Sequence, residues 1–238
     1  MNWDFHSDEV RQLFDNLKVD FLSSLGLQLP PDPSDRLSFD FLHLICRCFQ
    51  TRIPFQNVDL LIVPENERKV PDLNEIVDSI TSHRGGLCWN LNSFMGCLLG
   101  SLGFKVDFFP ATVTGGLLGS HALLLIRNVD CDLSTPWLVD YNPGYPPICF
   151  GEAQVYCSRD RSTASRLVDN LRVTRQATEF GGVLVYNNSK VIKQSPDGHV
   201  VQSKIQKSDQ LIQEVTKDFP MIPAEDVAKA VKYVWEFI

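Results

Sequence analysis

The chain predicts a mixed α and β fold with its helices first. Apolar residues recur at helical spacing through residues 1 to about 105. From Phe104 to about Ile192 the pattern changes to short apolar runs separated by turn clusters, which suits a β-barrel or sandwich. The last segment returns to helical spacing after one hairpin signal.

Val10, Leu13, Phe14 and Leu17 mark the first helix, and Pro30-Pro31-Asp32-Pro33-Ser34 breaks the pattern. It resumes over Leu37 to Cys48, with Phe41, Leu44 and Ile45 on one face. Ile53-Pro54-Phe55 and the stretch from Pro64 to Pro71 read as punctuation, and a helix follows over Leu73 to Thr81. Leu91, Phe94, Met95, Leu98 and Leu99 predict another. The strand candidates are Val106 to Phe109, Ala122 to Ile126, Trp137 to Val139, Leu171 to Val173 and Val183 to Tyr186. Gly151 to Asp169 is polar and supports no assignment. Val191-Ile192, a turn at Asp197-Gly198 and Val200-Val201 make a hairpin, and helices follow over Asp209 to Lys217 and Ala224 to Phe237.

With 238 residues, 44% of them hydrophobic, the chain is long enough for one or two domains with a sizeable core. The net charge of −7 argues against a nucleic-acid protein, which needs a basic footprint. Seven cysteines are an odd number without framework spacing, the N-terminus lacks the look of a signal peptide, and no apolar run reaches the roughly 20 residues of a membrane span. A cytoplasmic, reducing setting with free thiols is expected. The absence of a C-x-x-C or H-x-x-x-H pair makes a metal site unexpected.

The run Arg84-Gly85-Gly86-Leu87-Cys88-Trp89-Asn90-Leu91-Asn92 carries the chemistry. Two glycines bring the backbone close behind a thiol, and the helix that follows places Cys88 at or near a helix N-terminus. There the unpaired N–H groups and the dipole favour the negative, nucleophilic thiolate. Alone, such a cysteine is more often core. His121 opens one apolar strand and Asp140 closes the next. Consecutive strands are usually neighbours, so the two side chains have a route to meet. Cys88, His121 and Asp140 then form nucleophile, base and orienter.

This constellation resembles the arylamine N-acetyltransferases. Their Arg-Gly-Gly-x-Cys motif with a following polar residue and Asn is matched by Arg84, Gly85, Gly86, Cys88, Asn90 and Asn92, and their Ile/Val-Pro-Phe-Glu-Asn run by Ile53-Pro54-Phe55-Gln56-Asn57. The His before an aliphatic strand and the Leu-Val-Asp strand end are matched by His121 and by Leu138-Val139-Asp140. The resemblance implies an α+β, cysteine-protease-like architecture: a helical bundle over 1–105 carrying the nucleophile, an antiparallel β-barrel over 106–190 carrying His and Asp, and an α/β lid over 191–238. It implies acyl transfer from acetyl-CoA as co-substrate, without a metal, to a small-molecule amine, by a monomer or weak homo-oligomer. It also implies that Phe55, Phe109, Gly119, Ser120 and Tyr141 bind substrate. The same triad serves cysteine hydrolases and transglutaminase-like amide exchange, and a catalytically weak binding homologue is a third alternative. Two departures stand out. Tyr141-Asn142-Pro143-Gly144-Tyr145-Pro146-Pro147 replaces the family's small-residue turn, and Gln56 stands where the family's Glu pairs with the motif's Arg. Arg84 is therefore expected to bond a neutral amide or to find another acid.

Overall fold

The structure is a computed structural model and describes residues 7–112, 121–134, 136–141, 170–178 and 181–235. The N-terminal part is helical. Helix α1 (Asp8–Ser24) starts where the Ser7 side chain accepts from the Val10 N–H, with Asp8 and Glu9 at its positive end. After the short α2 (Pro33–Arg36) comes α3 (Phe39–Arg52), which begins two residues later than the apolar pattern because Ser38 caps it. A two-residue strand β1 (Phe55–Gln56) and a single turn α4 (Val58–Leu61) occupy the stretch expected to be punctuation. Helix α5 (Leu73–Thr81) has the expected limits, set by a reciprocal capping box between Asp72 and Glu75.

Helix α6 (Cys88–Leu102) is the centre of this half. Every residue from Leu91 to Leu99 is buried, as expected of a helix enclosed on all sides by α1, α5 and the strands that follow. It ends at Gly103, whose φ of 106° is the left-handed stop that glycine adopts without strain. The rings of Phe14 and Phe21 from α1 pack edge-on against Phe94 of α6, with centroids 5.1 and 4.6 Å away.

Strands β2 (Lys105–Ala111), β3 (His121–Arg127) and β4 (Trp137–Val139) form an antiparallel sheet in that order. One face carries Leu124, Ile126 and Val139 into the same core as α6. The second sheet is also antiparallel, in the order β1, β5 (Arg172–Thr178), β6 (Gly181–Asn187), β7 (Lys190–Gln194) and β8 (Val200–Lys204). Helices α7 (Ser208–Asp218) and α8 (Ala224–Trp235) pack with it, and Leu211, Val215, Val227 and Val231 join Val173, Tyr186 and Val191 in a second core. Val58 and Leu61 of α4 also enter that core, so the N-terminal half reaches into the C-terminal sheet through β1 and α4. Helix and sheet are mixed as expected. Among the described residues the strands make two open sheets and no closed barrel.

Candidate active site

Cys88 is the first residue of α6 and is partly buried. The turn that delivers it tolerates no side chain behind it. Gly85 has φ 81°, and a Cβ there would lie 1.9 Å from the Pro54 carbonyl oxygen. A Cβ on Gly86 would lie 2.7 Å from Cγ of Asn90. The backbone is pinned from the other side as well: the Gly86 N–H donates to Pro54 O at 3.2 Å and the Gln56 N–H to Gly86 O at 2.9 Å. Strand β1 thus forms the floor of the Gly-Gly turn. Leu87, the residue before the helix, has no side-chain oxygen with which to cap the first N–H groups, so they face the end of the helix where the thiol sits.

The register of β3 and β4 brings His121 and Asp140 together. Leu124 pairs with Val139, so one step further Asp140 lies opposite Leu123, and His121 is two residues from Leu123 on the same face. His121 Nε2 and Asp140 Oδ1 are 2.7 Å apart. The Cys88 thiol also acts on the His121 ring, so His121 stands between thiol and carboxylate. His121 is 7% exposed. Burial works against its charged form, but the bond to Asp140 and the interaction with Cys88 outweigh burial and push its pKa up to about 10. At neutral pH this favours the imidazolium form of His121.

Asn92, one helical turn past Cys88, is fully buried. Its Nδ2 donates to the Ala122 carbonyl at 2.8 Å, and its Oδ1 accepts from the Tyr141 N–H at 3.4 Å.

Arg84 finds acids, though not at position 56. Its Nε donates to Asp59 Oδ1 at 2.8 Å, and its Nη2 bonds the same oxygen and also Asp226 Oδ2 at 2.8 Å. Gln56 joins from behind, with Nε2 donating to Asp59 Oδ2 at 2.7 Å. A carboxylate three residues on therefore supplies the negative charge, and α8 supplies a second. Asn57 holds β5, accepting from the Arg172 N–H at 2.7 Å. Sequence reasoning left Arg84's partner open and missed both Asp59 and Asp226. The only local signal was an acid in the turn after Gln56-Asn57.

Of the residues linked to substrate by resemblance, Phe55 and Tyr141 lie in the N-terminal core, 6% and 3% exposed. Tyr141 packs on Phe49. Phe109 is exposed and lines a cavity of about 670 Å³ with Cys97, Lys105 and Val106; none of Cys88, His121 and Asp140 lines it. Gly119, Ser120 and the turn from Asn142 to Pro147 lie outside the described residues. Trp89 and Phe108 meet edge to face at 5.3 Å beside the thiol-bearing turn. Among the described residues no cluster of three or more His, Cys, Asp or Glu suits a metal ion, and no helix is long and apolar enough to cross a membrane.

Residues 38–148 match a family model described as N-acetyltransferase, a segment that contains Cys88, His121 and Asp140. No curated protein sequence matches the chain significantly. Solved structures do match in fold. An arylamine N-acetyltransferase from Mycobacterium marinum superposes with a TM-score of 0.69 at 15% identity, covering 91% of this chain and 99% of that one. The enzyme from Salmonella typhimurium gives 0.66 at 18%, covering 92% and 98%. The M. marinum enzyme in complex with CoA gives 0.65 at 17%, covering 90% and 98%. The chain is thus similar to the N-acetyltransferase family in the sequence of residues 38–148, and to the arylamine N-acetyltransferases in fold over nearly its whole length.

Proposed function

We propose that this chain moves an acetyl or other short acyl group from an acyl-coenzyme A to an arylamine, arylhydrazine or related amine, through an acyl-cysteine on Cys88. The observation that carries the reading is His121, hydrogen-bonded to Asp140 and electrostatically coupled to the Cys88 thiol at the head of α6.

His121 takes the proton of Cys88, and Asp140 holds the imidazolium in place. The thiolate attacks the thioester carbonyl, and the N–H groups at the start of α6 stabilise the oxyanion. The carbon–sulfur bond to coenzyme A breaks, and the leaving thiolate takes the proton from His121. One thioester has replaced another, so the step is nearly balanced in energy. The amine then attacks the acyl-cysteine. An aromatic amine suits this step because it is unprotonated at neutral pH, whereas an alkyl amine is mostly protonated. His121 removes the proton from the attacking nitrogen and returns it to the Cys88 sulfur as the bond to sulfur breaks.

On this reading residues 1–105 supply the nucleophile, 106–190 the base and its orienter, and 191–238 a covering segment tied to the motif through Asp226. The substrate roles of Phe55, Phe109, Gly119, Ser120 and Tyr141, the cytoplasmic setting, and action as a monomer or weak homo-oligomer belong to the same proposal. The test is intact mass after brief incubation with acetyl-coenzyme A, beside Cys88→Ala. One added acetyl group on the wild type alone, removed by an added arylamine, is the expected result. An unmodified Cys88 that still reacts with iodoacetamide would reject acyl-coenzyme A as the donor.

A further inference from the structure

We infer that Asn92 is a positioning residue for the base and the acid: its amide, one turn along the helix from the thiol, joins the peptide that follows His121 to the peptide that follows Asp140. The inference rests on the triad reading above.

The strand register shows what the amide does. Two steps beyond the last pair, Leu124 with Val139, Ala122 would face Tyr141. A continued ladder could join the Tyr141 N–H directly to the Ala122 carbonyl. Instead β4 ends at Val139, and the Asn92 side chain lies between the two groups, giving its N–H to one and its C=O to the other. The amide orientation is fixed by its partners, since a carbonyl accepts only from Nδ2 and an N–H donates only to Oδ1. The strands therefore part at the level where His121 and Asp140 meet on the alternate face, and the inserted amide sets how far.

Few side chains can substitute. The position needs a donor and an acceptor on one short planar group, with no exposure to water. Aspartate keeps the shape and the acceptor but turns an oxygen towards the Ala122 carbonyl. Alanine loses both bonds. Because Asn92 and Cys88 share one helix, the same residue also fixes the thiol relative to the base.

The test compares Asn92→Asp and Asn92→Ala with the wild type. The readouts are the NMR titration of the His121 ring, turnover with acetyl-coenzyme A and an arylamine, and the thermal midpoint. We expect folded variants in which the His121 titration moves down from about 10 towards its ordinary value of 6.5. We expect kcat to fall about 10²-fold, with KM for acetyl-coenzyme A little changed. A folded variant with wild-type titration and kcat would overturn the inference. Amide exchange on the wild type needs no variant: the Tyr141 N–H should be protected as strongly as that of Val139, and rapid exchange would equally overturn it. The two readings fail separately. If Cys88 takes no acetyl group yet the His121 titration still shifts in the variants, the proposed reaction falls and the positioning role stands.

Discussion

Replacing Gln56 by glutamate should make the protein less stable. Gln56 is 1% exposed and gives its N–H to Asp59 at 2.7 Å, while Asp59 already faces Arg84, and Arg84 already faces Asp226 as well. The substitution sets a second carboxylate against the first. At that separation and an effective dielectric near 20, the repulsion is about 6 kcal/mol. The new side chain can avoid it by holding a proton, which at pH 7 costs about 4 kcal/mol for an ordinary glutamic acid of pKa about 4.3. The smaller figure is the ceiling. Attraction to Arg84 and the partial exposure of Asp59 reduce it to about 1–3 kcal/mol. The sign with pH follows. The folded variant binds its proton more tightly than the unfolded chain does, so the penalty is full near pH 7, shrinks as pH falls, and vanishes near the unfolded value of about 4.3. Urea denaturation of Gln56→Glu and wild type at pH 7 and pH 5 measures it. Equal stability at pH 7, or a penalty unchanged at pH 5, would refute the reasoning and show that the new carboxylate takes Arg84 while Asp59 swings into water.

Gly85→Ala should cost at least about 3 kcal/mol in urea denaturation, because it combines a left-handed backbone with a Cβ 1.9 Å from the Pro54 carbonyl oxygen; a loss under about 1 kcal/mol would mean that β1 yields freely. Asp140→Asn should fold normally and lower kcat by about 10³–10⁴-fold, since the amide no longer stabilises the imidazolium; unchanged turnover would remove Asp140 from the mechanism. The charged His121 gives a third expectation, because its folded pKa is raised. Its contribution to stability is complete below about 6.5 and is lost as pH rises through about 10. The stability gap between wild type and Asp140→Ala, read from urea midpoints at pH 6, 8 and 10.5, should therefore close at the alkaline end.

Helix α5 and strand β4 could be read from sequence to the residue, because a capping box starts one and a run of aromatic and aliphatic residues makes the other. Strand β1 could not. It is two residues long, follows a proline, and has its partner β5 more than a hundred residues along the chain. Local propensity carries no trace of such a pairing. The same strand explains why the sheet order escaped a reading by consecutive strands: the five-stranded sheet begins with a segment from the helical half. The Arg84 network is hidden for a related reason. Asp59 looks like a first-turn acid of a short helix, and Asp226 like the same feature of α8; only the fold brings both to one guanidinium.

Cys88, His121 and Asp140 stood out in the sequence while the bonds that Asn92 makes to their surroundings did not, and α6 shows why. Cys88, His121 and Asp140 each stand at the end of an apolar run, where a change of residue type is conspicuous. Asn92 lies inside such a run, on a helix buried on every side, where an amide has no solvent to bond and low intrinsic preference. A buried polar group in that setting needs internal partners. Between Cys88 and Leu102 the side-chain amides are Asn90 and Asn92, both within about one turn of the thiol, and beyond Ser93 the helix stays apolar or small until Ser101. The concentration of polarity at one end of an otherwise apolar helix therefore marks the end that faces the site. Asn90 packs under Gly86 and shapes the turn that delivers the thiol. Asn92 reaches the two strands that deliver its partners. One helix thus carries Cys88 and touches the backbone next to both His121 and Asp140.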